Sequence, residues 1–211
     1  YNKKKEDNVL VELLEKENIE YFRGSEKDIL DRFYQAAKIF QTDIIIDVEG
    51  DKIYTDPIYV DKVIEEMEKF NLDYVEGMLS DENFTQIHGI HGFIPAGIKV
   101  KSLNKICLLK KTENTETGYK EFFTKSKNMK LKYIELKLKV KMPKYTRLTL
   151  DYQEDFELAT MIFNKLGNFF NAEDVIELLT KETKLLKITE SLIEKWNKYY
   201  EQNLADHSLN S

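Results

Sequence analysis

The chain has 211 residues, of which 42% are hydrophobic and 33% charged, a composition typical of a folded domain with one sizeable core. Its 38 acidic and 32 basic side chains give a net charge of −6, which argues against broad nucleic-acid binding because that binding needs a basic surface. No apolar run reaches the length of a transmembrane helix, and the first residues contain no apolar signal-peptide segment. The single cysteine, Cys107, excludes an internal disulfide and a cysteine-based metal cluster. We therefore expect a cytoplasmic protein without a nucleic-acid or membrane partner.

Helical and strand patterns alternate along the first third of the chain. Helices are predicted at residues 8–17, from Ser25 onward and after Pro57, and strands at residues 19–22, 43–48 and 72–75. The three consecutive isoleucines of the second strand indicate burial on both faces, as in a parallel sheet covered by helices. This alternation predicts an α/β domain.

The rest of the chain begins with a glycine-rich stretch and ends in helices. Residues 79–98 are predicted as a long loop, and long loops in compact domains often have a function. Further predicted elements follow in chain order: helix in part of 102–127, a half-exposed edge strand at 130–141, a short strand at 148–151, and helices at 155–166, 171–182 and 189–203. We expect Trp196, Tyr199 and Tyr200 to anchor the last helix on the body of the domain or on a partner.

Two aspartates, Asp51 and Asp151, each come at the end of a predicted strand. In open α/β sheets ligands bind beyond the carboxyl ends of the strands, so the two carboxylates are predicted to meet at one edge of the sheet. Carboxylate oxygens hold Mg²⁺, which would bind triphosphate oxygens and offset the charge that develops during phosphoryl transfer. The alternative is that each aspartate caps the helix that follows its strand.

Two further groups of polar residues are candidates for a site. Arg23 and Ser25 flank the start of a predicted helix, where backbone N–H groups favour an anion, although a plain capped helix explains the same pattern. His88 and His91 lie in the glycine-rich loop, where they would contact an acidic sugar or act as general base. Alternatively, the two histidines are exposed loop residues.

Three motifs occur in the order and spacing of one known family. Residues 23–37 read RGSEKDILDRFYQAA, residues 43–57 read DIIIDVEGDKIYTDP, and residues 147–156 read RLTLDYQEDF. They resemble the RGSEDDVLDRYYQAA segment, the strand-GD-x-P-x-x-DP element and the RLTVDTPEDF motif of SpsF-type cytidylyltransferases, a family similar to the CMP-Kdo and CMP-sialic-acid synthetases. The resemblance covers about residues 8–166, and more loosely the region around Trp196.

The resemblance implies both a fold and a reaction. The fold is α/β, a Rossmann-like nucleotidyltransferase (GT-A-like) mixed sheet flanked by helices, with a C-terminal helical arm. The reaction is the transfer of CMP from CTP to a sugar-type acceptor with release of pyrophosphate, for surface polysaccharide biosynthesis. A homodimer is expected on the same grounds.

The resemblance also implies roles for the candidate residues. Asp51 and Asp151 correspond to the catalytic, Mg²⁺-binding aspartates of the family. The positions that match its nucleotide-binding region are Arg23, Ser25, Asp28 and Arg32. His88 and His91 fall where the family shapes its acceptor pocket, so we expect them to bind the acceptor.

Departures from the family pattern leave other functions open. Lys52 stands where the family has Cys or Glu, and Tyr152 stands where it has Thr. The family's ARxGSxRxPGK-type loop, which grips the triphosphate, does not occur in the sequence. Residues 1–168 are therefore expected to form an N-terminally incomplete nucleotidyltransferase domain, and residues 169–211 a C-terminal helical extension. The alternatives are a catalytically inactive binding protein on the same fold, or a metal-dependent glycosyltransferase that uses a nucleotide sugar.

Overall fold

The computed structural model describes residues 5–78 and 92–210. Within them, four strands form one sheet: β1 (Ile44–Asp47), β2 (Tyr74–Met78), β3 (Ala96–Lys99) and β4 (Leu131–Glu135). The α-helices of the same residues are α1 (Asn8–Lys16), α2 (Ile29–Phe40), α3 (Pro57–Phe70), α4 (Val100–Leu109), α5 (Glu121–Thr124), α6 (Gln153–Leu166), α7 (Ala172–Lys181) and α8 (Glu190–Asn203). Short 3₁₀ segments, Lys5–Asp7 and Thr183–Ile188, precede α1 and α8.

The sheet is mixed, as predicted. β3 lies between β1 and β2 and runs antiparallel to both, while β4 runs parallel to β2, which gives the spatial order β1-β3-β2-β4. In the first pair, Ile44 lies opposite Lys99 and Asp47 opposite Ala96. Because β1, β2 and β4 share one direction, their carboxyl ends meet at the same edge, where ligands bind in α/β sheets.

Helices cover both faces of the sheet. Ile44 and Ile46 of β1 pack against a core that includes residues of α3, α6 and α7, and Ile45 packs against a second core with residues of α2 and α4. The isoleucines therefore contact both helical layers, as the sequence predicted. Gly97 of β3 allows α3 to approach closely, because a Cβ there would lie 2.6 Å from Cγ1 of Val63.

Polar side chains fix the starts of three helices. Asp28 caps α2 and Asp56 caps α3, each with a carboxylate that accepts a backbone N–H of the first turn. Pro57 follows as the first residue of α3, where its missing N–H costs nothing. Asn171 caps α7, as predicted, and Asp56 also accepts the backbone N–H of Ala172, which ties α3 to α7.

The helix predicted to begin at Ser25 begins four residues later, at Ile29. Asp28 and not Ser25 occupies the capping position, and the hydroxyl of Ser25 accepts the backbone N–H of Asp28 at 3.1 Å. Ser25 therefore stabilises the turn ahead of the helix, and Asp28 caps the helix itself.

Two predicted strands are wrong, and one strand was missed. Residues 19–22 and 148–151 form no strand, whereas β3 lies at the end of the stretch 79–98 that was predicted as a loop. β3 is short and begins with Ala96-Gly97, residues that are poor strand formers. Among residues 5–78 and 92–210, β1 pairs only with β3, which runs antiparallel to it, and the parallel neighbour expected from its isoleucines is not found there.

The edge strand predicted over residues 130–141 ends at Glu135. Beyond it, the carboxylate of Glu173 on α7 accepts the backbone N–H groups of Lys139 and Val140 at 2.9 and 3.1 Å. These charge-assisted bonds replace sheet pairing and direct the chain towards α7.

The C-terminal arm returns to the body of the domain. After α8, the backbone N–H of Ala205 donates to the carbonyl of Thr117 at 2.9 Å, and that of Asn210 donates to the carbonyl of Leu109 at 2.7 Å. Side chains of α7 share the core of α3 and α6, and the predicted boundary at residue 168 stays a prediction. None of the described helices combines the length and apolar character that crossing a membrane requires.

Candidate active site

Asp51 and Asp151 lie at one place in the fold although they are far apart in sequence. Asp51 is in the loop that follows β1, and Asp151 lies just ahead of α6. The backbone N–H of Leu150 donates a hydrogen bond to the carbonyl oxygen of Asp51 at 2.9 Å, which places the two segments side by side. Both aspartates line one cavity of about 260 Å³.

The lining of this active-site cavity combines charged and aromatic side chains. Its carboxylates are those of Glu49, Asp51, Glu116 and Asp151, and its cations are Lys52, Lys120 and Arg147. Its aromatic rings are those of Tyr119, Trp196, Tyr199 and Tyr200. Cavities that combine apolar rings with a few placed polar groups are typical of small-molecule sites. The composition suits a charged ligand that also contains a ring.

Arg147 fixes the carboxylate of Asp151. The guanidinium is fully buried, and its Nε and Nη2 donate to the two oxygens of Asp155 at 2.9 and 3.0 Å. Nη2 also donates to Oδ2 of Asp151, and the Thr149 hydroxyl donates to that same oxygen at 2.9 Å. Among the described residues, no hydrogen bond reaches Oδ1 of Asp151, so this oxygen remains available to a ligand.

The Asp51 carboxylate stands close to other negative charge. Burial raises its pKa first, and the charges of Glu49 and Asp151 raise it further, while Lys52 opposes them. Repulsion between neighbouring carboxylates is the condition that a divalent cation relieves.

One oxygen of Glu49 binds two lysines at the cavity wall. Nζ of Lys52 lies 2.6 Å and Nζ of Lys120 lies 2.7 Å from Oε1 of Glu49. Burial alone would raise the pKa of Glu49, but the two ammonium groups outweigh it and hold that pKa at about 2. Burial and Lys120 lower the pKa of Lys52, whereas for Lys120 the effect of burial is outweighed by Glu49 and Glu76, which raise its pKa. The wall therefore contains two closely spaced cations that both contact Oε1 of Glu49, and Lys120 also lies 3.8 Å from Oε1 of Glu76.

Asp47, the last residue of β1, is buried behind these lysines. The Tyr119 hydroxyl donates a hydrogen bond to Oδ2 of Asp47. Burial raises the pKa of Asp47 to about 6, with a further contribution from Glu49 and partial opposition from Lys120.

Neither candidate aspartate caps a helix. The cap of α3 is Asp56, and the residue that precedes α6 is Tyr152. The alternative explanation of Asp51 and Asp151 as simple helix caps is therefore wrong.

Two carboxylates suit Mg²⁺, which takes its other ligands from water and substrate. They do not suit a metal whose ligands all come from the protein. Within residues 5–78 and 92–210, no group of three or more His, Cys, Asp and Glu side chains is placed to hold a metal. Mg²⁺ usually takes one or two carboxylates and completes its coordination with water and substrate phosphates. The Asp51 carboxylate and Oδ1 of Asp151 match that donor set.

The residues predicted to bind the nucleotide lie in three places. Nη1 of Arg23 donates to Oδ1 of Asn8 on α1 at 2.8 Å. Ser25 and Asp28 line a second cavity, and Arg32 lines a third. None of these four residues lines the active-site cavity itself.

Asp28 and Arg32 contact different parts of the chain. Asp28 forms an ion pair with Lys110 and accepts the Thr115 hydroxyl at 3.1 Å, so its carboxylate joins α2 to the chain after α4. Nη1 of Arg32 donates to the carbonyl of Ser25 at 2.7 Å. The cavity of Arg32 adjoins the active-site cavity, because the two share Glu49, Glu116 and Tyr119. The nucleotide-binding role of the four residues stays a prediction.

His88 and His91 lie outside the described residues, and their predicted contact with the acceptor stays a prediction. Sequence reasoning missed Glu49 and Lys120, whose pairing no motif signals because they are far apart in the chain. Lys52 was noticed only as a departure from the family pattern, although its position next to Asp51 is the signal that could have identified it.

Known proteins provide a comparison for this geometry. No protein-family model matches the chain. Over 87 residues, or 39% of this chain, it is 46% identical to the uncharacterized protein MJ1063 of Methanocaldococcus jannaschii, and the match spans 36% of that protein's own length. Over 187 residues, or 84% of this chain, it is 26% identical to the spore coat polysaccharide biosynthesis protein SpsF of Bacillus subtilis, and the match spans 72% of SpsF.

A solved structure has a similar fold. A cytidylyltransferase from Leptospira borgpetersenii serovar Hardjo-bovis superposes with a TM-score of 0.71 at 21% sequence identity, over 88% of this chain and 76% of the other. The structural match confirms the predicted nucleotidyltransferase fold, and together with the match to SpsF it confirms the resemblance that the three motifs predicted.

Proposed function

We propose that this chain, a relative of the SpsF-type cytidylyltransferases, transfers CMP from CTP to a hydroxyl group of a sugar-type acceptor and releases pyrophosphate. The observation that supports this most strongly is the joint position of Asp51 and Asp151 on one cavity, beside a backbone hydrogen bond between their segments. The names of SpsF, a spore coat polysaccharide biosynthesis protein, and of the Leptospira cytidylyltransferase support the acceptor class and the reaction.

In this proposal Asp51 and Asp151 are the metal ligands. An Mg²⁺ ion held by these two carboxylates would supply positive charge to offset the negative charge that develops on the phosphate oxygens. Arg147 and Thr149 hold Oδ2 of Asp151, so the carboxylate is oriented before substrate arrives.

The lysine pair provides further positive charge for the phosphates. Lys52 and Lys120 lie on the same cavity and are bound to one oxygen of Glu49, so both ammonium groups are already positioned there. As the acceptor oxygen forms its bond to the α-phosphorus, the bond from that phosphorus to the oxygen bridging to the β-phosphate breaks. Pyrophosphate leaves with that electron pair, and the proton of the acceptor hydroxyl passes to water.

Pyrophosphate release tests the proposal. The purified protein is incubated with Mg²⁺, CTP and a panel of neutral and acidic sugars, with UTP, ATP and GTP as alternative donors. We expect release with CTP and at least one sugar, loss of release with EDTA, and recovery when Mg²⁺ is added back. The absence of release with every donor, combined with no calorimetric binding of CTP, would favour an inactive binding protein. Transfer from a preformed nucleotide sugar, and not from CTP, would identify a glycosyltransferase and also contradict the proposal.

A further inference from the structure

The active-site cavity has an aromatic wall to which the proposed reaction gives no role. Helix α8 contributes Trp196, Tyr199 and Tyr200 to the lining. The rings of Trp196 and Tyr200 stack, with centroids 5.2 Å apart and planes inclined by 23°. The Tyr200 hydroxyl points to Glu121 at 3.4 Å, whereas the Tyr199 side chain is 53% exposed. This aromatic wall therefore combines a stacked pair with one ring that is open to a ligand.

Cationic side chains attach the wall to the segment that carries Asp151. The ring of Tyr152 contacts two cations, with the Arg147 guanidinium 5.4 Å and Nζ of Lys195 4.2 Å from its centroid. Lys195 is on α8, one residue before Trp196. Cation–π contacts of this kind hold α8 against the residues next to the proposed metal ligand.

The far end of α8 is fixed against the loop that precedes α5. Gly118 has a φ of +83°, a conformation that favours glycine, and a Cβ at this position would displace Cδ1 of Leu204 at the chain end. Next to it, the backbone N–H of Ala205 donates to the carbonyl of Thr117 at 2.9 Å. The wall is thus held in place at both ends, and a ligand that binds to it need not order the helix.

The aromatic wall lines only one of two adjoining cavities. The cavity of Arg32 shares Glu49, Glu116 and Tyr119 with the active-site cavity, but no residue of α8 contributes to it. The cavity of Arg32 and the aromatic side formed by α8 are therefore different parts of one continuous surface. The proposed reaction needs room for two substrates on this surface, and the aromatic side provides one of the two places.

We infer that Trp196 and Tyr199 form the subsite for the sugar ring of the acceptor, an inference that rests on the proposed function. A sugar ring has an apolar face of C–H groups, which packs on an aromatic ring, and hydroxyl groups at its rim that need polar partners. The cavity supplies both kinds of contact, because Thr117 and Lys120 line it together with the two rings. A ring bound there presents a hydroxyl group to the cavity that the two aspartates line.

Intrinsic fluorescence provides the test, because Trp196 is the single tryptophan of the chain. The protein is titrated, without nucleotide, with N-acetylglucosamine, glucuronate and N-acetylneuraminate, and tryptophan emission is followed. We expect a saturable change in emission with at least one sugar. Replacement Tyr199→Ala should weaken that binding about two- to tenfold. The matched control is Phe156→Ala, whose ring is 57% exposed on α6 and does not line the cavity, and it should bind the sugar as the wild type does.

Titration with CMP tests the alternative that a nucleobase, and not a sugar, binds to these rings. An emission change with CMP that no sugar reproduces would assign the wall to the base and overturn the inference. No change with any of the three sugars would overturn it as well. Pyrophosphate release then decides the proposed function separately, since it requires no response from Trp196. For an active protein, Tyr199→Ala should raise the KM for the sugar and leave the KM for CTP unchanged.

Discussion

The backbone N–H of Leu150 donates a hydrogen bond to the carbonyl oxygen of Asp51, with 2.9 Å between nitrogen and oxygen. This bond joins the loop after β1 to the segment before α6, and it brings Asp151 to the cavity of Asp51 without the strand that the sequence predicted there. A backbone bond does not depend on which side chain either residue carries. Asparagine variants of the two aspartates should therefore keep this arrangement, because Asp151→Asn would also retain a side-chain oxygen for Arg147 and Thr149, so their activity reports on the carboxylates and not on the fold.

Asp47 should make the stability of the protein depend on pH. Burial and Glu49 raise its pKa from 3.8 to about 6, so the folded state favours the protonated form. Stability from this group is present below pH 4 and is lost as the pH rises through 6, by up to roughly 3 kcal/mol. Asp47→Asn removes the titration, so its free energy of unfolding relative to the wild type should increase between about pH 4 and pH 6 and stay level above about pH 7. Urea denaturation across this range measures the difference, and parallel profiles for the two proteins would show that Asp47 does not titrate there.

Arg147 should be one of the most sensitive positions for folding. Its guanidinium and the Asp155 carboxylate are almost completely buried, so Arg147→Met leaves this carboxylate without its cation and with only the backbone N–H groups of Asp151 and Tyr152 as donors. The expected loss is about 3–5 kcal/mol in the free energy of unfolding. Lys165→Met serves as control, because the pair of Lys165 with Glu182 is 41% and 28% exposed and should contribute less than about 1 kcal/mol. Similar unfolding midpoints for the two variants would mean that Arg147 is not required for the fold.

Gly92 packs against the segment that leads to Asp151. Its φ is +64°, and a Cβ there would overlap the carbonyl oxygen of Leu148. Gly167 also has a positive φ, +77°, but nothing lies within 4 Å of a Cβ at that position. Both alanine variants therefore carry backbone strain, and only Gly92→Ala adds a collision, so it should destabilise the protein by about 1–3 kcal/mol more than Gly167→Ala. Equal losses in thermal unfolding would show that the backbone at Leu148 moves aside.

Local signals in the sequence predicted much of the fold. The isoleucines of β1 identified a strand between two helical layers, and Asn171 identified the start of α7. The position of each candidate aspartate after an apolar run was enough to expect them at one sheet edge, and the structure places both on one cavity. These features depend on short stretches of chain, which a sequence displays directly.

Long-range contacts explain what the sequence did not reveal. Lys120 meets Glu49 only because the loop before α5 folds over the end of β1, and no spacing in the sequence indicates that pairing. Trp196 was expected to anchor α8, but its place on the cavity follows from contacts around Tyr152 and Gly118 that form only in the folded chain. The short strand β3 was missed because its identity comes from its two neighbours and not from its own residues.

The most direct test of the account compares pyrophosphate release from CTP and an acceptor sugar by the wild type, Asp51→Asn and Asp151→Asn. Asp61→Asn, an exposed change on α3, is the matched control. If the two carboxylates hold the metal, both variants should lose at least about a hundredfold in rate with an unchanged circular dichroism spectrum, and the control should keep full activity. A rate above about a tenth of the wild-type value in either variant would contradict the assignment of Asp51 and Asp151 as the metal ligands.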